Sequence, residues 1–415
     1  MAGWRACVFL AIAAGCHHTS ATVAPRPAMP TVAPVTIELP LTKPTIPVLD
    51  GKDVPALPVR TSVGLQGETF RQLTERDCLL LAAVNASAAN TLDDENRVPP
   101  ASGTNSARDQ LRRTMRYHAA LELRNLAAAD ALERFIQLSD VEARTELLRD
   151  GFPVVDAQLD RAKKAKTADV RFPLDIGDLT RQRSQLVTDL EQAEQGTRLL
   201  NLDLKRRLAL PYQPASERLW PVGDFAINPT TPDVEQAVNA ALADRPELRG
   251  LRALYHGLTP ETLPDARDYL RAANSLTGQR LPHVIRRMFA KNAGPDAATL
   301  AELEVRRKQI LDLIADRERA VADEARAAIL TMNAQVSRIA HARERQQVWE
   351  EKLADAVKKR AADQPGAELL ESQMRTELLK TKAEVVTEVA AWHQARVKLK
   401  AAQGWLAWEA APEKK

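Results

Sequence analysis

Apolar residues recur along this chain at helical intervals over stretches longer than an ordinary globular helix. From Asp109 to Leu148 the stripe Leu111, Met115, Leu121, Leu126, Leu132 and Ile136 roughly fits a 3.6-residue period, and no Gly or Pro interrupts it. Gly151 and Pro153 are expected to weaken or kink that run, after which Val154 to Lys166 resumes a helical composition. A tight turn is read at Arg171 to Asp178, and from Leu179 a second helix carries Leu179, Leu186, Leu190, Ala193, Leu200 and Leu204 near a 3.5-residue repeat. That repeat implies left-handed supercoiling against a partner helix, so the unit is an antiparallel hairpin, closed after Leu210 by Pro211 and Pro214. The plan then repeats. A helix from about Asp296 to Ala362 places Leu303, Ile310, Ile314, Val321, Ala328, Met332 and Ile339 on one stripe, a turn falls at Gln364, Pro365 and Gly366, and a return helix carries Leu378, Val385, Trp392 and Leu399 at intervals of seven. Ala83-Val84-Asn85-Ala86 recurs as Ala237-Val238-Asn239-Ala240, each expected in a short helix before a long hairpin, which together with the repeated element order points to a duplication.

The first residues follow a different pattern. Met1 to Arg5, the apolar run Ala6 to Ala14, and Gly15-Cys16 have the three parts of a secretory signal, and the run is too short to span a bilayer. Ala13-Ala14-Gly15-Cys16 resembles a bacterial lipobox with Cys16 as the lipidated residue; the other reading is an ordinary cleaved signal in which Cys16 is incidental. His17 stands where Asp is usual in inner-membrane lipoproteins, which leans towards the outer membrane. Between Thr19 and Leu65 nine prolines, from Pro25 to Pro58, remove backbone donors and favour extended chain, so this stretch is expected to tether the anchor to the folded part. Its reach is on the order of 100 Å.

Composition narrows the function. The 415 residues include 27% charged residues with a net charge of only +3, which lacks the basic excess usual in nucleic-acid binders. Charged residues interrupt every apolar stretch after the leader, so no transmembrane helix is expected. Beyond Cys7 and Cys16 only Cys78 remains, which leaves no disulfide framework and no Cys-based zinc site. The histidines at 17, 18, 118, 256, 283, 341 and 393 are scattered without metal-ligand spacing, and no phosphate loop or nucleophile elbow occurs among only 16 glycines. No cofactor, metal or catalytic residue is therefore expected. Lys205-Arg206-Arg207 and Lys358-Lys359-Arg360 are read as solvated faces near helix ends, where cations offset the dipole, and Trp405 and Trp408 as packed on the bundle, with a membrane interface as the other reading.

The segment Val234 to Arg249, an Ala-rich run followed by Asp244-Arg245-Pro246-Glu247-Leu248-Arg249, resembles a helix-start pattern of the bacterial outer-membrane efflux proteins called TolC-like. Arg171 to Leu186 is similar to that family's hairpin-tip segment, and Leu208 to Pro211 to the close of its first repeat. The resemblance covers roughly Glu68 to Ala410. It implies a homotrimer in which each subunit gives two hairpins to a hollow periplasmic tube, whose tips meet a periplasmic adaptor protein working with an inner-membrane transporter. It implies too that Leu174, Gly177 and Asp178 in the first tip, and Gln364, Pro365 and Gly366 in the second, contact the adaptor. Ordinary turn chemistry would also explain these residues, with Asp178 capping the helix that follows.

One departure matters. The windows where the family places β-barrel strands, Val98 to Ser106 and Thr277 to Pro295, lack the alternation a membrane strand needs over about 9 to 11 residues. Either the protein is a barrel-less relative held at the membrane by lipid, or the strands are divergent. The expected fold is all-α: two repeated long antiparallel coiled-coil hairpins, with barrel strands short or absent. The expected division is a signal peptide (1–15), an anchor and tether (16–67), a first hairpin repeat (68–215), a second (216–410) and a tail (411–415). Three functions follow: an outer-membrane efflux component anchored on the periplasmic face, a lipid-anchored scaffold without channel activity, and, disfavoured by the absence of a convergent polar site, an enzyme.

Overall fold

A computed structural model describes residues 41–42, 69–100, 106–169, 174–210, 217–228, 230, 232–275, 277–279, 297–364 and 366–410. Cys16, most of the tether and Pro365 lie outside the described residues. The elements in chain order are β1 (Leu41–Thr42), β2 (Thr69–Thr74), α1 (Glu75–Val84), α2 (Ser87–Arg97), α3 (Ser106–Thr167), α4 (Ile176–Arg207), β3 (Glu217–Val222), α5 (Val234–Asp244), α6 (Pro246–His256), α7 (Leu263–Ala273), α8 (Ala297–Ala361), α9 (Ala367–Ala402) and α10 (Trp405–Glu409).

The four long helices are the two hairpins expected from the apolar stripes. α3 has 62 residues and α8 has 65, about 93 and 98 Å at the rise of an α-helix. α3 does not stop at Pro153 but runs through it as one helix. α4 packs along α3, α9 packs along both α3 and α8, and α4 has no comparable packing on α8. The order α4–α3–α9–α8 is thus an open layer one helix thick, with α4 and α8 as its edges.

Burial follows this order. In α8 the whole stripe from Leu303 to Ile339 is buried, as are Leu378, Val385, Trp392 and Leu399 of the central α9. On the edge helix α4 only Leu179 and Leu204 of the expected stripe are fully buried, while Leu186, Leu190 and Leu200 are half-buried. Leu126 does not belong to its stripe and is 44% exposed. Five residues beyond Leu121, it lies about 140° further round the helix.

A small sheet, not expected from the sequence, gathers these helices at a waist. Its order is β1-β2-β3, with β1 antiparallel to β2 and β2 parallel to β3 in the register Thr69↔Glu217 to Thr74↔Val222. Each repeat therefore opens with a strand leading to a short helix, and the two opening strands lie side by side. Phe70 and Trp220 meet edge to face at 5.4 Å. Pro221 is tolerated because β3 is an edge strand. The outer edge of β3 is covered by Asn201 of α4, whose amide donates to the Leu219 carbonyl at 2.8 Å and accepts from the Leu219 N–H at 3.0 Å. The main core spreads from here: Leu73, Leu132, Phe135, Leu204, Leu219, Leu248, Ile329, Val389, Trp392 and Leu406 form one buried cluster. A second cluster joins α6 and α7 to the first turns of α3 and α8 through Leu111, Leu251, Leu254, Leu270, Leu303 and Ile310.

Local signals set the boundaries. Thr74 and Asp77 form a reciprocal capping box at the start of α1. The two Ala-Val-Asn-Ala segments do different work: Asn85 ends α1 and donates to the Leu208 carbonyl at 3.0 Å, whereas Asn239 is exposed in the middle of α5. Gly404 turns the chain from α9 to α10 at φ +71°, where a Cβ would lie 2.6 Å from Pro246 Cδ and 3.1 Å from Arg245 Cα. Gly404→Ala is therefore expected to lower stability by about 1–3 kcal/mol. A shifted urea midpoint would show this, and an unchanged midpoint would mean the corner is not close-packed. Trp405 and Trp408 beside it are only partly covered, 38% and 37% exposed. The Trp405 indole N–H donates to Asp244 at 3.2 Å, and Arg249 lies 5.6 Å from the Trp408 ring.

Candidate functional site

The two hairpin tips are built alike. Lysines 163, 164 and 166 close α3, and Lys358, Lys359 and Arg360 close α8, favourable charges at helix C-termini. Each helix is followed by an aspartate in the left-handed region, Asp169 at φ 53° and Asp363 at φ 51°. In the first tip the cap of α4 is Asp175, whose side chain accepts from the Asp178 N–H at 3.1 Å. Asp178 is thus not the cap expected from the sequence. It stands in the first turn and pairs with Arg181 at 2.9 Å. Leu174 packs against Leu159, Ala162 and Leu179, and Gly177 and Asp178 are exposed. In the second tip Gln364 is exposed and Gly366, at φ +79°, precedes α9.

Ion pairs hold the tips side by side. Arg161 of α3 lies 3.5 Å from Glu368 of α9, Arg360 of α8 lies 2.9 Å from Glu371, and Arg375 lies 2.7 Å from the other oxygen of Glu371. Burial pushes the Glu371 carboxyl up, but hydrogen bonding to Arg360 and the charges of Arg375 and Arg360 outweigh it, so the group is held below the usual carboxylate range. Above these pairs α3 and α9 part to leave a groove of about 420 Å³ with an apolar floor including Pro153, Val154, Ala157, Leu378 and Leu379. Its rim is charged, with Arg161 and Arg375 among acidic neighbours.

The Asp244 to Arg249 motif builds a second, buried constellation at the waist. Pro246 starts α6, where its missing N–H costs nothing. Arg245, only 4% exposed, reaches between three long helices: to Glu122 of α3 at 3.0 Å, to Glu324 of α8 at 3.6 Å, and to the Ala401 carbonyl at the end of α9 at 2.6 Å. Asn125 of α3 donates to the same carbonyl at 2.9 Å. Glu247 pairs with Arg317 of α8, and Asp244 accepts from Arg249 at 2.5 Å.

Other polar groups are kept apart. Among the described residues no three His, Cys, Asp or Glu side chains are grouped to hold a metal ion. Cys78 is fully buried, and burial with the nearby Glu75 and Asp77 pushes its thiol far up. His393 is buried against Phe225 and Trp392, and burial with the charge of Arg396 pushes it down to about 4. No described helix is long and apolar enough to cross a membrane.

Two long antiparallel hairpins in one layer, gathered at the waist by a small sheet, are the fold of the TolC-like outer-membrane channels. The structure is similar to the CmeC outer membrane channel of Campylobacter jejuni, with a TM-score of 0.54 and 9% identity over 92% of this chain and 96% of that one. A membrane protein from Pseudomonas aeruginosa gives 0.53 and 14% over 95% and 98%, and the Neisseria gonorrhoeae MtrE outer membrane channel, in its open state, 0.51 and 10% over 80% and 88%. No protein-family model matches the chain and no curated protein matches its sequence. The all-α, double-hairpin expectation is met.

Both windows where barrel strands would fall are only partly described. Among the described residues no strand lies between α2 and α3 or between α7 and α8. Eight residues separate Arg97 from Ser106, fewer than even one spanning strand of about 9 to 11 residues uses. After α7, Thr277 folds back to donate to the Leu270 carbonyl at 2.7 Å.

Proposed function

We propose that this protein is the outer-membrane component of a tripartite export system. Three copies close edge to edge into a helical conduit, anchored through lipid on Cys16 at the periplasmic face of the outer membrane. The observation that carries the reading is the open layer with apolar edges. Leu199 and Leu202 of α4 are 59% and 57% exposed, and Leu300, Leu311 and Leu330 of α8 are 58%, 47% and 66% exposed. Residues 300 and 311 lie three turns apart on one face. A chain that leaves leucines along both edges of a one-helix layer has a surface for another copy at each edge. Head-to-tail closure of such edges gives a ring. No catalytic group is required of a conduit, and the protein is read as not being an enzyme.

The tips carry the second half of the proposal. The groove between α3 and α9, with Leu174, Gly177, Asp178, Gln364 and Gly366 below it, suits a helical hairpin of a periplasmic adaptor, apolar along its contact line and charged at its rim. The adaptor would join this conduit to an inner-membrane transporter. Eight residues between α2 and α3 favour a second reading, a lipid-anchored scaffold that kept the hairpins without conducting. Single-particle imaging of the full-length protein, extracted with its lipid, separates the two. A hollow trimer is the expected result; a monomer or a solid bundle overturns the conduit and leaves the scaffold.

A further inference from the structure

The junction around Arg245 holds more acid than base. Facing Glu122 of α3 are Arg245 and Glu247 from α6 and Arg317 and Glu324 from α8. Tyr269 of α7 lies near Glu247 and Arg317, and α9 contributes the Ala401 carbonyl, already engaged by Arg245 and Asn125. With every group ionised, three carboxylates would face two guanidiniums. The guanidiniums already carry their full positive charge, so only a carboxylate taking up a proton can relieve the excess. Glu122 is placed to do so. It is 3% exposed, its Oε1 lies 3.0 Å from Arg245, and its Oε2 is buried without a hydrogen-bond donor among the described residues. A buried carboxylate oxygen lacking a donor is costly as an anion and far less so as the acid.

We propose that Glu122 is a proton-binding site that joins the two repeats: protonated, it holds α3 against α6 and α8, and on losing its proton it loosens that junction. The inference rests on the junction alone and does not need the conduit reading. Burial pushes the Glu122 carboxyl up and the charge of Arg245 opposes it, while Glu247 and Glu324 add to the rise and Arg317 opposes it; the group reaches about 7. Unfolded, the same carboxyl titrates near 4.5. Between these values the folded chain holds a proton that the unfolded chain has lost. Its contribution is therefore greatest in acid and is lost as pH rises to about 7. His393 acts in the opposite sense. Its folded value lies below its unfolded 6.5, so its contribution falls as pH drops from there to about 4. His118 is shifted in the same direction as His393. Wild type alone thus reports a sum, and a Glu122 variant isolates one group.

The test is equilibrium unfolding of the full-length wild type and Glu122→Gln from pH 5 to pH 8. The ratio of their unfolding constants is expected to change by roughly 50- to 100-fold across that range, with wild type losing ground as pH rises. Hydrogen exchange along α6 should quicken with pH, beyond its intrinsic dependence, in wild type only. Parallel pH profiles overturn the proposal. Should Glu122→Gln fail to fold, Glu324→Gln serves instead: removing a like charge must move the wild-type transition to lower pH, and an unmoved transition is equally fatal.

Discussion

Replacing Leu199 and Leu202 together by lysine is expected to turn an oligomer into a folded monomer. Both side chains are already more than half exposed in one protomer, so their loss should change its own stability by no more than about 0.5 kcal/mol each. In a closed ring the part of these leucines still exposed would be buried against the α8 edge of the next copy, each worth about 1–2 kcal/mol. Two lysines there would also have to be desolvated. The combined effect is a weakening of association by 100-fold or more. Leu330→Lys, on the opposite edge, should have the same effect, because each contact uses one edge from each partner. Light-scattering mass, read beside thermal unfolding, checks both variants. An unchanged mass with unchanged stability would show that the leucine edges do not meet another copy.

The second large effect is expected from Arg245→Ala. Arg245 is 4% exposed and neutralises acids from three elements, so its removal leaves Glu122, Glu247 and Glu324 without their common partner and the Ala401 carbonyl with one donor fewer. Breaking a buried pair in this way costs about 3–5 kcal/mol. Arg245→Lys keeps the charge but not the planar fork that serves several acceptors at once, and should lose an intermediate amount. Adding Glu122→Gln to Arg245→Ala should recover part of the loss only above about pH 7, where Glu122 would otherwise be a stranded carboxylate. Urea unfolding of the four proteins measures this. A loss below about 1 kcal/mol for Arg245→Ala would mean that water reaches the cluster and that the motif has no such role.

Much of this fold was legible because long helices write their packing into a repeating pattern. The stripe from Leu303 to Ile339 and the heptad from Leu378 to Leu399 are buried along their length. The pattern failed where packing is one-sided or local. Leu126 matches by composition and misses by angle, and the leucines of α4 were read as a full seam although that helix has a long-helix neighbour on one side only. β2 and β3 were missed since six-residue strands between longer helical signals carry too little alternation to stand out. At the first tip the short acidic residues Asp175 and Asp178 compete for the cap, and three residues of register decide it.

The waist shows a different limit. Asp244-Arg245-Pro246-Glu247 is visible as a motif, but its partners Glu122 and Arg317 lie more than 120 and 70 residues away in the chain. Nothing local marks them. An unusual feature was still available as a clue: a glutamate and an asparagine, Glu122 and Asn125, both fall on the inward side of α3 among alanines and leucines. Buried polar residues on a helix need partners from elsewhere, and the motif supplies one of them.

The pairing of Leu41–Thr42 with β2 would also set the length of a mooring through Cys16. With the chain paired to the waist at Leu41, 24 residues would separate that pairing from any anchor at Cys16. Drawn out fully they reach about 75 Å. Along α3, Ser106 stands about 54 Å above Glu142, the residue that meets β3 through Arg218. A lipid on Cys16 would therefore have slack of only some 20 Å past the upper rim of the helical layer. A conduit moored so would ride close beneath its membrane, unable to sink far from it.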